Sequence, residues 1–205
     1  MILPRLTVVK VGGSLLSYER LAEELPRWLR HDEDSPKHVV LVAGGGQLVE
    51  TIRQRCETAE STDERETHWQ CVDGMSTSAA MLARRLIKTT VVSDYDRLRK
   101  RLAKPGCTMF DCRSFLRQDE NRLPGTRLTE TWEVTSDSIA GRLAIALGAD
   151  AFVLLKSASP TSDSCREMSK TGFVDPFLAR LAIELPPTHV VNLRDPSFPE
   201  SKMIA

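Results

Sequence analysis

Two glycine-rich turns, each set directly at the end of an apolar β-rich run, constrain this chain more than any other feature. Leu6–Val11 leads into Gly12-Gly13-Ser14, and His38–Ala43 leads into Gly44-Gly45-Gly46, after which Gln47–Arg55 has helical spacing. Three consecutive glycines cost considerable chain entropy to order. At the carboxyl end of a strand, where open α/β sheets place their ligands, a nest of backbone N–H groups for an anion explains that cost better than a plain connection does. For Gly12-Gly13 taken alone, an ordinary tight strand-to-helix turn is the competing explanation.

Further β-rich runs at Thr89–Val92, Ala151–Leu155 and His189–Leu193 alternate with stretches of helical period. Leu21, Leu25, Trp28 and Leu29 share one helical face, as do Met81, Leu82 and Leu86 in a helix expected from about Glu66 to Lys88. This alternation predicts an α/β fold, a three-layer αβα sandwich with a mainly parallel central sheet. Asp119–Thr131 and Ser157–Gly172 are polar and hold Gly or Pro, and they predict surface loops rather than linkers. With 205 residues, 41% of them hydrophobic, one domain over 1–205 is expected.

Lys plus Arg and Asp plus Glu both total 28, so no overall charge draws the chain to nucleic acid or to an anionic membrane. No apolar run reaches membrane-spanning length, and Met1–Lys10 runs into a strand pattern rather than a signal peptide. Five cysteines without a CxxC pair favour neither a disulfide framework nor a zinc site. A cytoplasmic protein without membrane or nucleic-acid partners is expected, a homo-oligomer, with no residue assigned as a metal ligand.

Chemistry-bearing side chains accompany the glycines. Lys10 precedes the first turn, and Ser14 offers a hydroxyl within it. In Val134–Ala144, Thr135 or Ser136 is placed to cap a helix beginning near Asp137, with Ile139, Leu143, Ala146 and Leu147 as its apolar face and Gly148 as its stop. The following strand ends in Lys156-Ser157. Two lysines at strand ends, two glycine turns and an acid at a helix start form a phosphoryl-transfer set, because that chemistry rests on positioning and charge neutralisation.

These residues resemble the amino acid kinase superfamily, which includes acetylglutamate, aspartate, carbamate, uridylate and isopentenyl phosphate kinases. The Lys-x-Gly-Gly-Ser opening (Lys10 to Ser14) and the Gly-Gly-Gly turn (Gly44 to Gly46) match it in order and spacing. The resemblance implies an ATP-dependent small-molecule kinase using Mg2+, with an acceptor-binding part over about 1–130 and a nucleotide-binding part over about 131–205. It assigns Lys10 and Lys156 to the charge on the transferred phosphoryl, and Asp137 to orienting them. Gly12, Gly13 and Ser14 would hold nucleotide phosphates, and Gly44, Gly45 and Gly46 would lie beside the acceptor. Gly172 and Asp175 would meet the nucleotide, with helix capping as the equal alternative for Asp175.

Thr67-His68-Trp69 and Trp132–Ala140 are most similar to the small aminomethylfuran phosphate kinases. That likeness implies transfer to 5-(aminomethyl)-3-furanmethanol phosphate to give the diphosphate. His68 and Trp69 would touch this acceptor, or else form a structural pair. Asp73 is either a partner for its ammonium group or part of a solvated helix face. A phosphate monoester is already ionised near neutrality, its second pKa being about 6, so no general base is required. Ala158-Ser159-Pro160 stands where the family has Val-Asp-Gly. Isopentenyl phosphate, a nucleoside monophosphate or an amino acid carboxylate remain as acceptors, and a nucleotide- or anion-binding sensor or a storage protein as non-enzymatic alternatives.

Overall fold

The computed structural model describes residues 5–30, 37–57, 63–86 and 89–205. The Met1–Pro4 approach to the first strand and the Lys88 end expected for the long helix lie outside them. Strand β1 (Arg5–Val11), helix α1 (Leu21–Arg30), β2 (Lys37–Ala43), α2 (Gly46–Glu57) and α3 (Glu64–Arg85) come first. Then follow β3 (Thr90–Val92), α4 (Tyr95–Arg101), β4 (Gly106–Phe110), α5 (Ser136–Leu147) and β5 (Ala151–Lys156). The short α6 (Cys165–Lys170) and α7 (Leu178–Leu181) precede β6 (Thr188–Asn192) and β7 (Glu200–Met203).

The strands form one sheet in the order β3-β4-β2-β1-β5-β6-β7. Every pairing is parallel except β6 with β7. Central strands of such a sheet are covered on both faces, which is why β2 has almost no polar side chain: Val39 to Ala43 are all buried. On one face Leu6, Val8, Val40 and Val42 pack with Ile139, Leu143, Phe177 and Leu178. On the other, Val9, Val11 and Leu41 pack with Leu21 and Leu25 of α1 and Leu82 of α3. The two-residue period of β1 thus puts Lys10 on the α5 face of the sheet, in line with Leu6 and Val8. The chain builds β2, β4 and β3 to one side of β1 and β5 to β7 to the other, so the strand order reverses at β1, the place where such sheets open a crevice for ligand.

Two segments differ from the sequence expectation. Ser157–Gly172 contains α6, whose residues Cys165 and Met168 are buried in the core although the stretch is mostly polar. Asp119–Thr131 is irregular beyond a π-helical turn that ends at Asp119 and a 3-10 turn at Glu120–Arg122, yet it is pinned from within. Arg142 of α5 is 0% exposed; its Nε donates to Glu120 Oε1 at 2.8 Å and its terminal nitrogens donate to the carbonyls of Pro124 and Leu123 at 2.9 and 3.1 Å. Glu120 Oε1 also accepts from the Leu128 N–H at 3.2 Å. Replacing Arg142 with Leu leaves the buried Glu120 without its cation and several carbonyls without a donor. The expected loss is about 3–5 kcal/mol of unfolding free energy in urea titration.

Candidate active site

The two glycine turns are built against each other. A Cβ on Gly13 would lie 2.7 Å from the Gly46 nitrogen, and one on Gly44 would lie 2.7 Å from the Gly13 nitrogen, so neither position tolerates a side chain without backbone movement. Gly46 also has φ +59°, in the left-handed region, where it turns the chain into α2. The N–H of Gly12 donates to the Leu155 carbonyl at 2.8 Å and that of Gly44 to the Val11 carbonyl at 2.9 Å. Among the described residues, the N–H groups of Gly13, Gly45 and Gly46 have no such acceptor. Three unpaired donors on two abutting turns, one of them opening a helix, are the kind of backbone nest that can accept an anion. A Gly13→Ala substitution is expected to cost about 1–3 kcal/mol of stability by overpacking this junction, measurable as a lowered denaturant midpoint.

Beside the nest lie three charges. Asp137, in the first turn of α5, is 4% exposed. Its Oδ1 is 2.7 Å from Lys10 Nζ, and its Oδ2 accepts from Lys156 Nζ at 2.8 Å. Lys156 Nζ also donates to the Phe173 carbonyl at 2.6 Å. Burial alone would push the Asp137 carboxyl up, but the two ammonium groups outweigh it and hold the carboxyl well below the usual carboxylate range. Burial lowers the pKa of Lys10, an effect that Asp137 opposes and Lys156 reinforces. The strands supply the geometry: β1 and β5 are adjacent and parallel, and their lysines converge on one acid from α5. Ser14 Oγ lies 2.9 Å from Ser157 Oγ, closing the two strand ends together.

Asp175 is placed differently from the nucleotide contact the resemblance implies. It is 6% exposed, and its Oδ2 accepts from the N–H groups of Thr135 and Ser138 at 3.0 and 2.9 Å and from Thr135 Oγ1 at 2.8 Å. Its Oδ1 accepts from the Leu178 N–H at 2.9 Å and from Ser138 Oγ. Both oxygens are taken up in capping α5 and α7, so the capping alternative is the one its side chain fulfils. The same bonds correct the expected local cap, since neither Thr135 nor Ser136 caps α5 with its own side chain. Gly172 is exposed, with φ +71°, on the chain leading to Phe173.

A cavity of about 490 Å³ opens from the nest, with Gly13, Ser14, Gly45, Gly46, Thr135 and Ser136 at one end. Val49, Val72, Met75, Val134 and Ile139 form apolar walls, and the charged side chains lining it are Glu50 and Arg53, both from α2. Lys10, Asp137 and Lys156 do not themselves line this cavity; their near neighbours in the chain, Gly13, Ser14 and Ser136, do, and Ser14 in turn meets Ser157. His68 lines the cavity, but Trp69 does not. Trp69 faces a separate polar cavity and lies under the guanidinium of Arg117, 4.1 Å from its ring centre. Asp73 pairs with Arg113 at 2.9 Å and is not among the residues lining the main cavity.

Burial lowers the pKa of His68, with partial compensation from the Thr131 carbonyl. Burial likewise lowers that of His38, whose Nδ1 donates to the Lys104 carbonyl at 2.7 Å while Nε2 accepts from Thr108 Oγ1 at 3.0 Å. Both imidazoles stay neutral in the folded chain at pH values where the unfolded chain, with its ordinary value of 6.5, has begun to bind protons. Stability is therefore expected to fall as pH drops below about 6.5. A His38→Gln/His68→Gln double variant should show a flatter dependence of the urea midpoint over that range.

No protein-family model matches the chain, and no curated protein matches it by sequence. Solved structures do match. The uridylate kinase of Archaeoglobus fulgidus superposes with a TM-score of 0.57 at 20% identity, over 90% of this chain and 89% of its own. The chain has the amino acid kinase fold. The UMP kinase of Ureaplasma parvum gives 0.66 at 13% identity, over 98% and 97% of the two chains. The aspartate kinase of Synechocystis gives 0.67 at 17% identity over 98% of this chain, which spans 40% of that longer protein. Among the described residues no helix is long and apolar enough to cross a membrane. Nor does any group of three His, Cys, Asp or Glu among them have the placement to hold a metal ion by itself.

Proposed function

We propose that this protein is an ATP-dependent kinase that transfers the γ-phosphoryl of MgATP to a small phosphate monoester, 5-(aminomethyl)-3-furanmethanol phosphate being the preferred acceptor. The observation that carries this reading is the Lys10–Asp137–Lys156 triad at the carboxyl ends of adjacent strands, beside an unpaired N–H nest. Two ammonium groups held 2.7 and 2.8 Å from one carboxylate are fixed in place before any substrate arrives, which is what charge stabilisation in a transition state demands. Neighbours of the same fold that are uridylate, UMP and aspartate kinases support phosphoryl transfer as the chemistry.

In this reading an ionised oxygen of the acceptor phosphate forms a bond to the γ-phosphorus as the bond from that phosphorus to the β-bridging oxygen breaks. ADP leaves with the electron pair, and no proton is moved. Lys10 and Lys156 neutralise the equatorial oxygens in flight, and Asp137 keeps both lysines aimed. Gly13 and Ser14 hold nucleotide phosphates, Gly12 lets the chain approach closely, and Gly45 and Gly46 hold the acceptor phosphate. Magnesium enters with the nucleotide phosphates, a mode that suits an ion that keeps several waters and takes few protein ligands. The apolar walls from Val49, Val72 and Met75 suit a small ring, and Glu50, exposed on the same cavity, is the acid a ring-borne ammonium group would meet. Assembly as a homo-oligomer belongs to the same reading.

A coupled assay of ADP release tests the choice of acceptor. The furan phosphate should support faster turnover at limiting concentration than isopentenyl phosphate, UMP or aspartate. A clear preference for one of those three would keep the kinase and discard the furan. ATP binding with no release of ADP beside any acceptor would sink the kinase reading and leave a nucleotide sensor.

A further inference from the structure

From the geometry of α2 we infer that Arg53 is the residue that selects a phosphorylated acceptor over the corresponding uncharged alcohol; this rests on the kinase reading above. Arg53 lines the main cavity, and its buried Nε has no hydrogen-bond partner. No carboxylate pairs with its guanidinium among the described residues. Glu50 stands one helical turn away on the same cavity, but it accepts from Gln54 Nε2 at 3.2 Å instead. Beside Arg53 stand the Cys71 thiol, with which its guanidinium hydrogen-bonds, the His68 imidazole and the Trp132 ring, whose centre lies 5.8 Å from the guanidinium carbon; Nε is left without a partner.

A guanidinium does not lose its charge in a protein, so Arg53 cannot relieve this situation by deprotonating. A permanent cation with an orphaned buried donor, facing an open cavity, is completed by an anion that enters the cavity. Its position says which part of the ligand that anion is. Arg53 lies seven residues after Gly46, about 10 Å along the helix axis, but long helical side chains lean back toward the N-terminus. The guanidinium stands beside Cys71 of α3 and the Trp132 ring, on the wall of the same cavity that the nest glycines line. A phosphate monoester seated on the nest would present one oxygen to the γ-phosphorus and another to Arg53. The planar fork of guanidinium donors matches two phosphate oxygens, a match that an ammonium group makes only as a point charge. An acceptor alcohol lacking the phosphate leaves Arg53 as unsatisfied as it is in the free protein. Discrimination then comes from a built-in penalty rather than from shape alone.

The test is calorimetric binding of 5-(aminomethyl)-3-furanmethanol phosphate and of its parent alcohol to the full chain, with a non-hydrolysable ATP analogue and Mg2+ present. Wild type should bind the phosphate at least about 30-fold more tightly than the alcohol. Arg53→Met should weaken phosphate binding by about 10- to 100-fold, the range for one charge-assisted contact, while leaving alcohol binding unchanged. Arg53→Lys, which keeps the charge but not the fork, should recover part of the loss and guards against misfolding of the Met variant. Equal weakening of both ligands, no weakening, or a wild type that does not prefer the phosphate would overturn the assignment. ADP release measured with ATP on the same preparations separates the two claims. Phosphate-selective binding through Arg53 without transfer would remove the kinase and keep the selector, whereas transfer that is indifferent to Arg53 would do the reverse.

Discussion

Lys10→Met should abolish measurable transfer, lowering kcat by about a thousandfold, while leaving the chain folded and close to wild-type stability. The two halves of this expectation have different origins. The activity loss follows because Lys10 is one of two cations preorganised beside the nest, and a Met of similar length cannot offset charge on a phosphoryl in flight. The small stability change follows from the charge count in the buried triad. Two ammonium groups and one carboxylate carry one net positive charge, so removing Lys10 leaves Asp137 and Lys156 as a neutral pair still joined at 2.8 Å. Thermal melts alongside steady-state kinetics check both. A variant that loses activity only because it unfolds would contradict the account of the triad.

Asp137→Asn should behave in the opposite way on stability. The amide leaves two ammonium groups facing each other in a buried site without a counter-charge. Such a loss costs about 3–5 kcal/mol where one partner of a buried pair is removed. Activity should fall as well, because the lysines are no longer aimed. The pH dependence identifies the cause. The folded Asp137 carboxyl is held below its ordinary value of 3.8, so its contribution is complete above that value and disappears as pH falls through the folded value. The stability gap between wild type and Asp137→Asn should therefore be constant above about pH 5 and narrow in stronger acid. A gap that instead widened on acidification would mean that Asp137 is not stabilised as an anion.

Much of this site is legible in the sequence because its parts are local. Lys10, Gly12, Gly13 and Ser14 fall within five consecutive positions, and Lys156 ends a β-rich run, so strand ends alone place both lysines at the carboxyl ends of strands. Asp137 stands at a helix start that the hydroxyls and the apolar spacing mark out. What escapes is non-local. The carboxylate that caps α5 comes from Asp175, 37 residues beyond Ser138, and no window around Thr135 contains it. Arg53 and Glu50 look like ordinary charges on an amphipathic helix, and only the packing of α2 against α3 turns them toward the cavity. His68 and Trp69 are neighbours in sequence, yet helical geometry points successive residues about 100° apart, so one meets the main cavity and the other does not. Strand β4 is hidden by its length and by Lys104-Pro105 just before it, and it exists because His38 of β2 and the parallel register hold it in place. Helix α6 is masked by its polar composition, only Cys165 and Met168 of its residues being buried.

The most direct test of the central claim is phosphorus NMR of the protein with MgATP and 5-(aminomethyl)-3-furanmethanol phosphate, run beside Lys10→Met. The account predicts that the monoester resonance is replaced by the paired resonances of a diphosphate ester as ADP accumulates, with wild type only. An unchanged monoester signal in both samples, or diphosphate formed equally by the Lys10→Met protein, would contradict it.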